Sequence, residues 1–171
     1  MDDLIYNQHL IPSSQWRYGF RSSAATGCGW IATYNAMRLM NYRVNIDHLI
    51  RWYTWQLPLI HGNAGTTLPA PAIRFWLWDF PVKIVVNPKH FDEAAKESDV
   101  CILFYRWRRG MRLGAHFAAF HPSFDGFIGY NTFKNSTGPD RYGPSLPEFL
   151  KKHRYFGSVL ICIQDKRRKE T

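Results

Sequence analysis

Along the first third of the chain, apolar residues surround a helix instead of lining one side of it. Residues 28 to 41 (CGWIATYNAMRLMN) carry few polar interruptions, such as Thr33, Asn35 and Arg38. A helix apolar on nearly every side is one buried at the centre of a fold. NIDHLIRWYTWQ (45 to 56) is amphipathic. Ile46, Leu49, Ile50 and Tyr53 recur at helical spacing behind Asn45, a residue suited to cap the first turn. GNAGTT (62 to 67) reads as a loop, and LPAPAIRFWLWDF (68 to 80) predicts a third helix entered through prolines.

After Pro81 the pattern changes period. VKIVV (82 to 86) is short, β-branched and bounded by prolines, and FDEAAKESD (91 to 99) predicts a small helix. Four strands are expected at VCILFYRW (100 to 107), AHFAAFH (115 to 121), GFIGYNTF (126 to 133) and GSVLICIQ (157 to 164). Helices first and an antiparallel sheet afterwards define an α+β arrangement. A helical lobe around a central buried helix would meet the sheet along a cleft. No repeat or linker divides the chain, so residues 1–165 are expected to form one domain, followed by a basic tail at 166–171.

Composition narrows the class. With 171 residues, 46% hydrophobic and 20% charged, the chain can close a core and is not disordered. Aromatic residues reach 16%, and those around 52–55 and 75–80 suit core packing or a groove wall. No stretch approaches the roughly 20 apolar residues that span a bilayer. The start, MDDLIYNQHL, lacks the apolar core of a signal peptide. A cytoplasmic location without a membrane partner is expected.

The formal charge of +9 is concentrated in RWRRGMR (106 to 112) and DKRRKET (165 to 171). Such runs read as a solvated loop and a frayed tail. Nucleic acid is not the expected partner, since no zinc-finger spacing, RNP-like aromatic motif or capped recognition-helix pair accompanies the charge.

Of three cysteines, Cys101 and Cys162 sit inside apolar runs and read as small buried hydrophobes. Cys28 differs: it stands between Gly27 and Gly29 at the mouth of the central helix. A helix N-terminus lowers a thiol pKa through unsatisfied N–H groups, and an imidazolium lowers it further. The flanking glycines would let a substrate backbone approach, and the Cys28 N–H could serve as an oxyanion donor.

The matching base comes from a hairpin. If AHFAAFHPSFDGFIGYNTF turns between Ser123 and Phe124, Phe120 opposes Phe127, Ala118 opposes Gly129 and His116 opposes Asn131. Cross-strand partners lie about 5 Å apart. Asn131 would then orient the imidazole of His116, with Ala118 and Gly129 leaving that face open. His121, before Pro122, reads as a surface turn residue facing away from Asn131. Cys28, His116 and Asn131 thus fill, in chain order, the roles of nucleophile, base and orienter. A zinc site of Cys28, His116 and His121 lacks a fourth ligand, and no metal or organic cofactor is implied.

GCGW (27 to 30), AHF (115 to 117) and YNTF (130 to 133) together resemble the papain-like cysteine peptidases. They are most similar to the compact bacterial branch, the double-glycine leader peptidases of bacteriocin exporters and their stand-alone relatives. The resemblance covers roughly residues 15 to 163. It implies a papain-like fold, a peptide or protein substrate and a thioester intermediate on Cys28, with hydrolysis, acyl transfer and deamidation left open. That family usually has a glutamine about six residues before its cysteine to hold the oxyanion. Here that position is Ser22, and Gln15 is the expected substitute, with Ser22, Ser23 or the loss of a side-chain donor as alternatives. A catalytically idle peptide-binding domain is the other reading of the same pattern, and a basic nucleic-acid-binding domain the third.

Overall fold

The computed structural model describes residues 4–56 and 65–170, so residues 62–64 of the expected GNAGTT loop lie outside the described residues. A two-stranded ribbon, β1 (Arg17–Tyr18) and β2 (Arg21–Ser22), runs into a short helix, α1 (Ser23–Thr26), and then into α2 (Cys28–Leu39). Two further helices follow, α3 (Ile46–Gln56) and α4 (Ala70–Trp76). The second half contains β3 (Val82–Val85), α5 (Phe91–Lys96), β4 (Val100–Arg109), β5 (Arg112–Ser123), β6 (Gly126–Tyr130), β7 (Asp140–Gly143), α6 (Leu146–Lys152) and β8 (Phe156–Ile163). The main sheet has six antiparallel strands in the order β3-β8-β4-β5-β6-β7. The α+β class follows directly.

Helices cover both faces of this sheet. On one face Cys101, Leu103, Tyr105, Ala118 and Phe120 pack against Phe91 and Ala95 of α5 and Phe149 of α6. On the other, Ile102, Phe117, Ala119 and Ile161 pack against Cys28, Ala32 and Ala36 of α2 and Phe75 of α4. Burial on both faces explains why β4 begins as the unbroken apolar run VCILFY. The far side of α2 meets α3 through Trp30, Ile31, Tyr34, Leu49, Ile50 and Tyr53. With the sheet on one side and α3 on the other, α2 has little surface left for water.

Several local expectations change. The helix expected over 68–80 is α4 alone, because Pro69 and Pro71 set its start and Asp79, at φ 61°, turns the chain soon after Trp76. RWRRGMR is not a loop. It continues β4, turns at Gly110 (φ 60°) and opens β5. The tail is not frayed either, for Lys166–Glu170 form a 3₁₀ helix. Lys166 donates to the Trp78 carbonyl (2.9 Å), Arg167 to that of Met40 (2.6 Å), and Arg168 pairs with Asp99 (2.7 Å). Asp165 organises this end by accepting from Tyr42 Oη (2.7 Å) and from the Arg167 N–H (3.0 Å).

Candidate active site

Cys28 is the first residue of α2, behind Gly27, which offers no side-chain cap. The first-turn N–H groups of a helix lack partners within it. Here the backbone N–H groups of Phe117, across the interface in β5, and of Gly29 and Cys28 act on the thiol and favour its ionised form. The sulfur is also almost sealed from water, with Cys28 only 9% exposed. Burial outweighs the three donors and pushes the thiol up to about 11. This reverses the expected lowering by the helix end, because desolvation of a thiolate costs more than three N–H groups return.

The glycines also serve otherwise than expected. A Cβ on Gly27 would collide with the Ser23 carbonyl and the Trp30 indole nitrogen, and one on Gly29 with the Thr66 side chain. They make room for the protein's own packing: Trp30 Nε1 donates to Ser23 Oγ (3.1 Å), and Thr66 Oγ1 to Tyr18 Oη (3.1 Å).

The sulfur meets Phe117 where the sheet has an opening. β6 stops at Tyr130, opposite Ala119, so the stretch of β5 before Ala119 has no β6 partner along that edge. Asn131 causes the stop. At φ 59° it adopts the left-handed conformation that asparagine tolerates, and the chain leaves the sheet. His116 lies in this open stretch, paired with Tyr105 in β4, their rings 5.7 Å apart.

The hairpin register differs from the expected one by two residues. Phe120 faces Gly129 and Ala119 faces Tyr130, because only Phe124 and Asp125 lie beyond the terminal pair Ser123–Gly126. A shift of two preserves the faces but moves Asn131 off His116's cross-strand position. The contact survives in another form: His116 Nε2 lies 2.5 Å from the main-chain oxygen of Asn131. A carbonyl can only accept, so Nε2 carries the proton and Nδ1 is the free acceptor nitrogen of the neutral ring. Burial depresses the imidazole to about 4, opposed by the Asn131 carbonyl and assisted by His9. Nor is the face beside Gly129 open, since the Tyr142 ring fills the space of the missing Cβ.

The Asn131 side chain is committed elsewhere. Its Oδ1 accepts from the Gln8 main-chain N–H (2.7 Å), and its Nδ2 donates to Gln8 Oε1 (3.1 Å). Gln8 Nε2 in turn donates to the Ala24 carbonyl (3.1 Å) in α1, the turn leading into Cys28. Gln8 is 5% exposed and Asn131 2%. Gln15, by contrast, is exposed and borders a surface cavity with Ile11, Trp16 and Thr137, whose walls include neither Cys28 nor His116. The amide beside this region is therefore Gln8. Its only signal in the sequence is a second glutamine further upstream, with no spacing to recommend it. Ser23 is used in packing, and its hydroxyl also bonds the Trp16 carbonyl.

His121 belongs to β5, not to a turn, and its ring stacks on Tyr130 with Nε2 3.3 Å from the hydroxyl. Cys101 and Cys162 are buried, free and directly opposed across β4 and β8. Among the described residues, no group of three or more His, Cys, Asp or Glu side chains could hold a metal ion. No helix among them is long and apolar enough to cross a membrane. No protein-family model matches the chain, and no curated protein matches it.

Proposed function

We propose that the chain is a cysteine-dependent amide hydrolase, a peptidase of papain-like fold acting on a peptide or protein through Cys28, His116 and Asn131. One observation carries the reading. The Phe117 backbone N–H acts on the Cys28 thiol and β5 packs against it, while the adjacent His116 is held through Nε2 by the Asn131 carbonyl. The remaining nitrogen, Nδ1, then takes the thiol proton as the sulfur attacks the amide carbon. Collapse of the tetrahedral adduct returns that proton to the leaving amine and leaves a thioester on Cys28, which water hydrolyses with Nδ1 again as base. Asn131 acts through its carbonyl, while its side chain is braced by Gln8. At rest both groups are neutral, so thiolate forms with substrate present. Three free thiols favour a reducing, cytoplasmic compartment.

A second reading has its own support: a thiol pushed up to about 11 suits an idle peptide-binding scaffold. Incubating the purified chain with a complex peptide library and reading products by mass spectrometry separates the two. The hydrolase reading expects cleavage that falls by about 10³-fold or more in Cys28→Ala. Peptides retained uncut by wild type and variant alike would establish the scaffold instead.

A further inference from the structure

Towards the other end of α2, a cavity of about 280 Å³ opens beside α3, α4 and the C-terminal 3₁₀ helix. It is close to the lower bound of roughly 300 Å³ for small-molecule sites. Among the described residues its wall carries Arg43, His48, Arg74 and Lys166 beside the rings of Trp78 and Phe80, and no carboxylate. Charge of one sign, gathered around aromatic rings in a concave site, is the feature to explain.

Arg74 is the lining cation with the most constrained surroundings. The Trp52 and Trp78 rings lie against its guanidinium, 4.8 and 3.9 Å from the central carbon. Its Nε is buried with no hydrogen-bond partner among the described residues. Among the described ion pairs none involves Arg74. A guanidinium cannot shed its charge as an imidazole or thiol can, so a half-buried one needs a partner or stays costly. The two rings lie against the group without accepting its N–H bonds, and a guanidinium's donors suit a carboxylate or phosphate. Lys166 sits 5.0 Å from the Phe80 ring, tethered to the Trp78 carbonyl at 2.9 Å.

We propose that this cavity binds a small organic anion, a planar ring bearing a carboxylate or phosphate. The charged group bonds the edge of Arg74 and Lys166, and the ring lies along Trp78 and Phe80. Met37 on the wall is nine residues beyond Cys28 along α2, roughly 14 Å of helix. The inference is therefore independent of the hydrolase reading.

Calorimetric titration with phenyl phosphate, benzoate, inorganic phosphate and benzyl alcohol tests it, with tryptophan fluorescence as a second readout. Phenyl phosphate or benzoate should saturate at one site, about tenfold or more tighter than inorganic phosphate or benzyl alcohol, and the tighter of the two identifies the anionic group. Arg74→Gln and Lys166→Gln should each weaken that binding about tenfold or more, the loss of a charge-assisted hydrogen bond. Circular dichroism checks the fold, and Lys166→Gln decides alone if Arg74→Gln does not fold. The proposal is overturned if neither ring anion saturates below about 10 mM. It is equally overturned if inorganic phosphate binds as tightly, or if the folded variants bind like wild type.

Discussion

The two ends of α2 treat ionisable groups in opposite ways. At the Cys28 end, burial drives both partners to neutrality, raising the thiol to about 11 and lowering His116 to about 4. Around Met37, Arg74 lies against two indoles, Lys166 lines the same cavity, and the charge is retained. Burial lowers the Arg74 pKa too, but from a starting point far above physiological pH. The same desolvation therefore has two outcomes, set by how cheaply the group can change its protonation. A site of neutral partners suits chemistry that creates charge during reaction. A site of permanent charge suits holding an anion.

Three measurements sharpen or break that contrast, beyond those for the hydrolase and the cavity. The largest effect is expected in Cys28 alkylation. With its thiol near 11 instead of the ordinary 9, the thiolate fraction at pH 8 is roughly 100-fold lower than for a free cysteine. Iodoacetamide labelling should be slow at pH 8 and keep rising towards pH 11. Rapid, pH-independent labelling near pH 6 would mean a resting thiolate–imidazolium pair and end the picture of a neutral site.

Next comes acid sensitivity. Above pH 6.5 His116 is neutral in folded and unfolded chains alike and adds no slope. Between about 6.5 and 4 the unfolded chain takes a proton that the folded one refuses, so stability falls with pH and the slope ends below about 4. The loss should be about 2–3 kcal/mol after allowance for partial exposure. Urea unfolding across this range should show a shallower slope for His116→Gln; equal slopes would assign the acid sensitivity to other groups. The smallest effect is at the far end. Trp52→Leu removes one ring from Arg74 and should cost about 0.5–1 kcal/mol in thermal or urea unfolding, with Cys28 labelling unchanged.

The helices and strands that carry the site were legible because their signals are local. An apolar surface nearly all round marks 28–39 as a central helix, and doubly buried VCILFY marks β4. Residues 134–156, for which no element is expected, nevertheless hold a local signal. Ser145 and Glu148 stand three apart, and Ser145 Oγ accepts the Glu148 N–H at the start of α6 (3.4 Å). β7 is only four residues, DRYG, without alternation to announce it.

The site itself was legible only by residue and element. Cys28 at a helix start and His116 on a strand are sequence statements, and the structure has both. Register depended on whether the hairpin turn centred one residue earlier or later, which PSFDG does not specify. That difference routes Asn131 to His116 through its main chain and frees its amide for Gln8. Partners 123 residues apart leave no periodic trace.

By itself, then, the sequence determined the α+β class, the buried central helix and the presence of a thiol and an imidazole on separate elements. These depend on apolar period and turn residues, which act within a few positions of one another. Only the tertiary structure decided the direction of both pKa shifts, the fate of Gln15 and Gln8, and the assembly of Arg74, Lys166 and Trp78 into one cavity. Each follows from how much water the packed elements exclude and which distant groups they bring into contact, and neither quantity exists until the chain has folded.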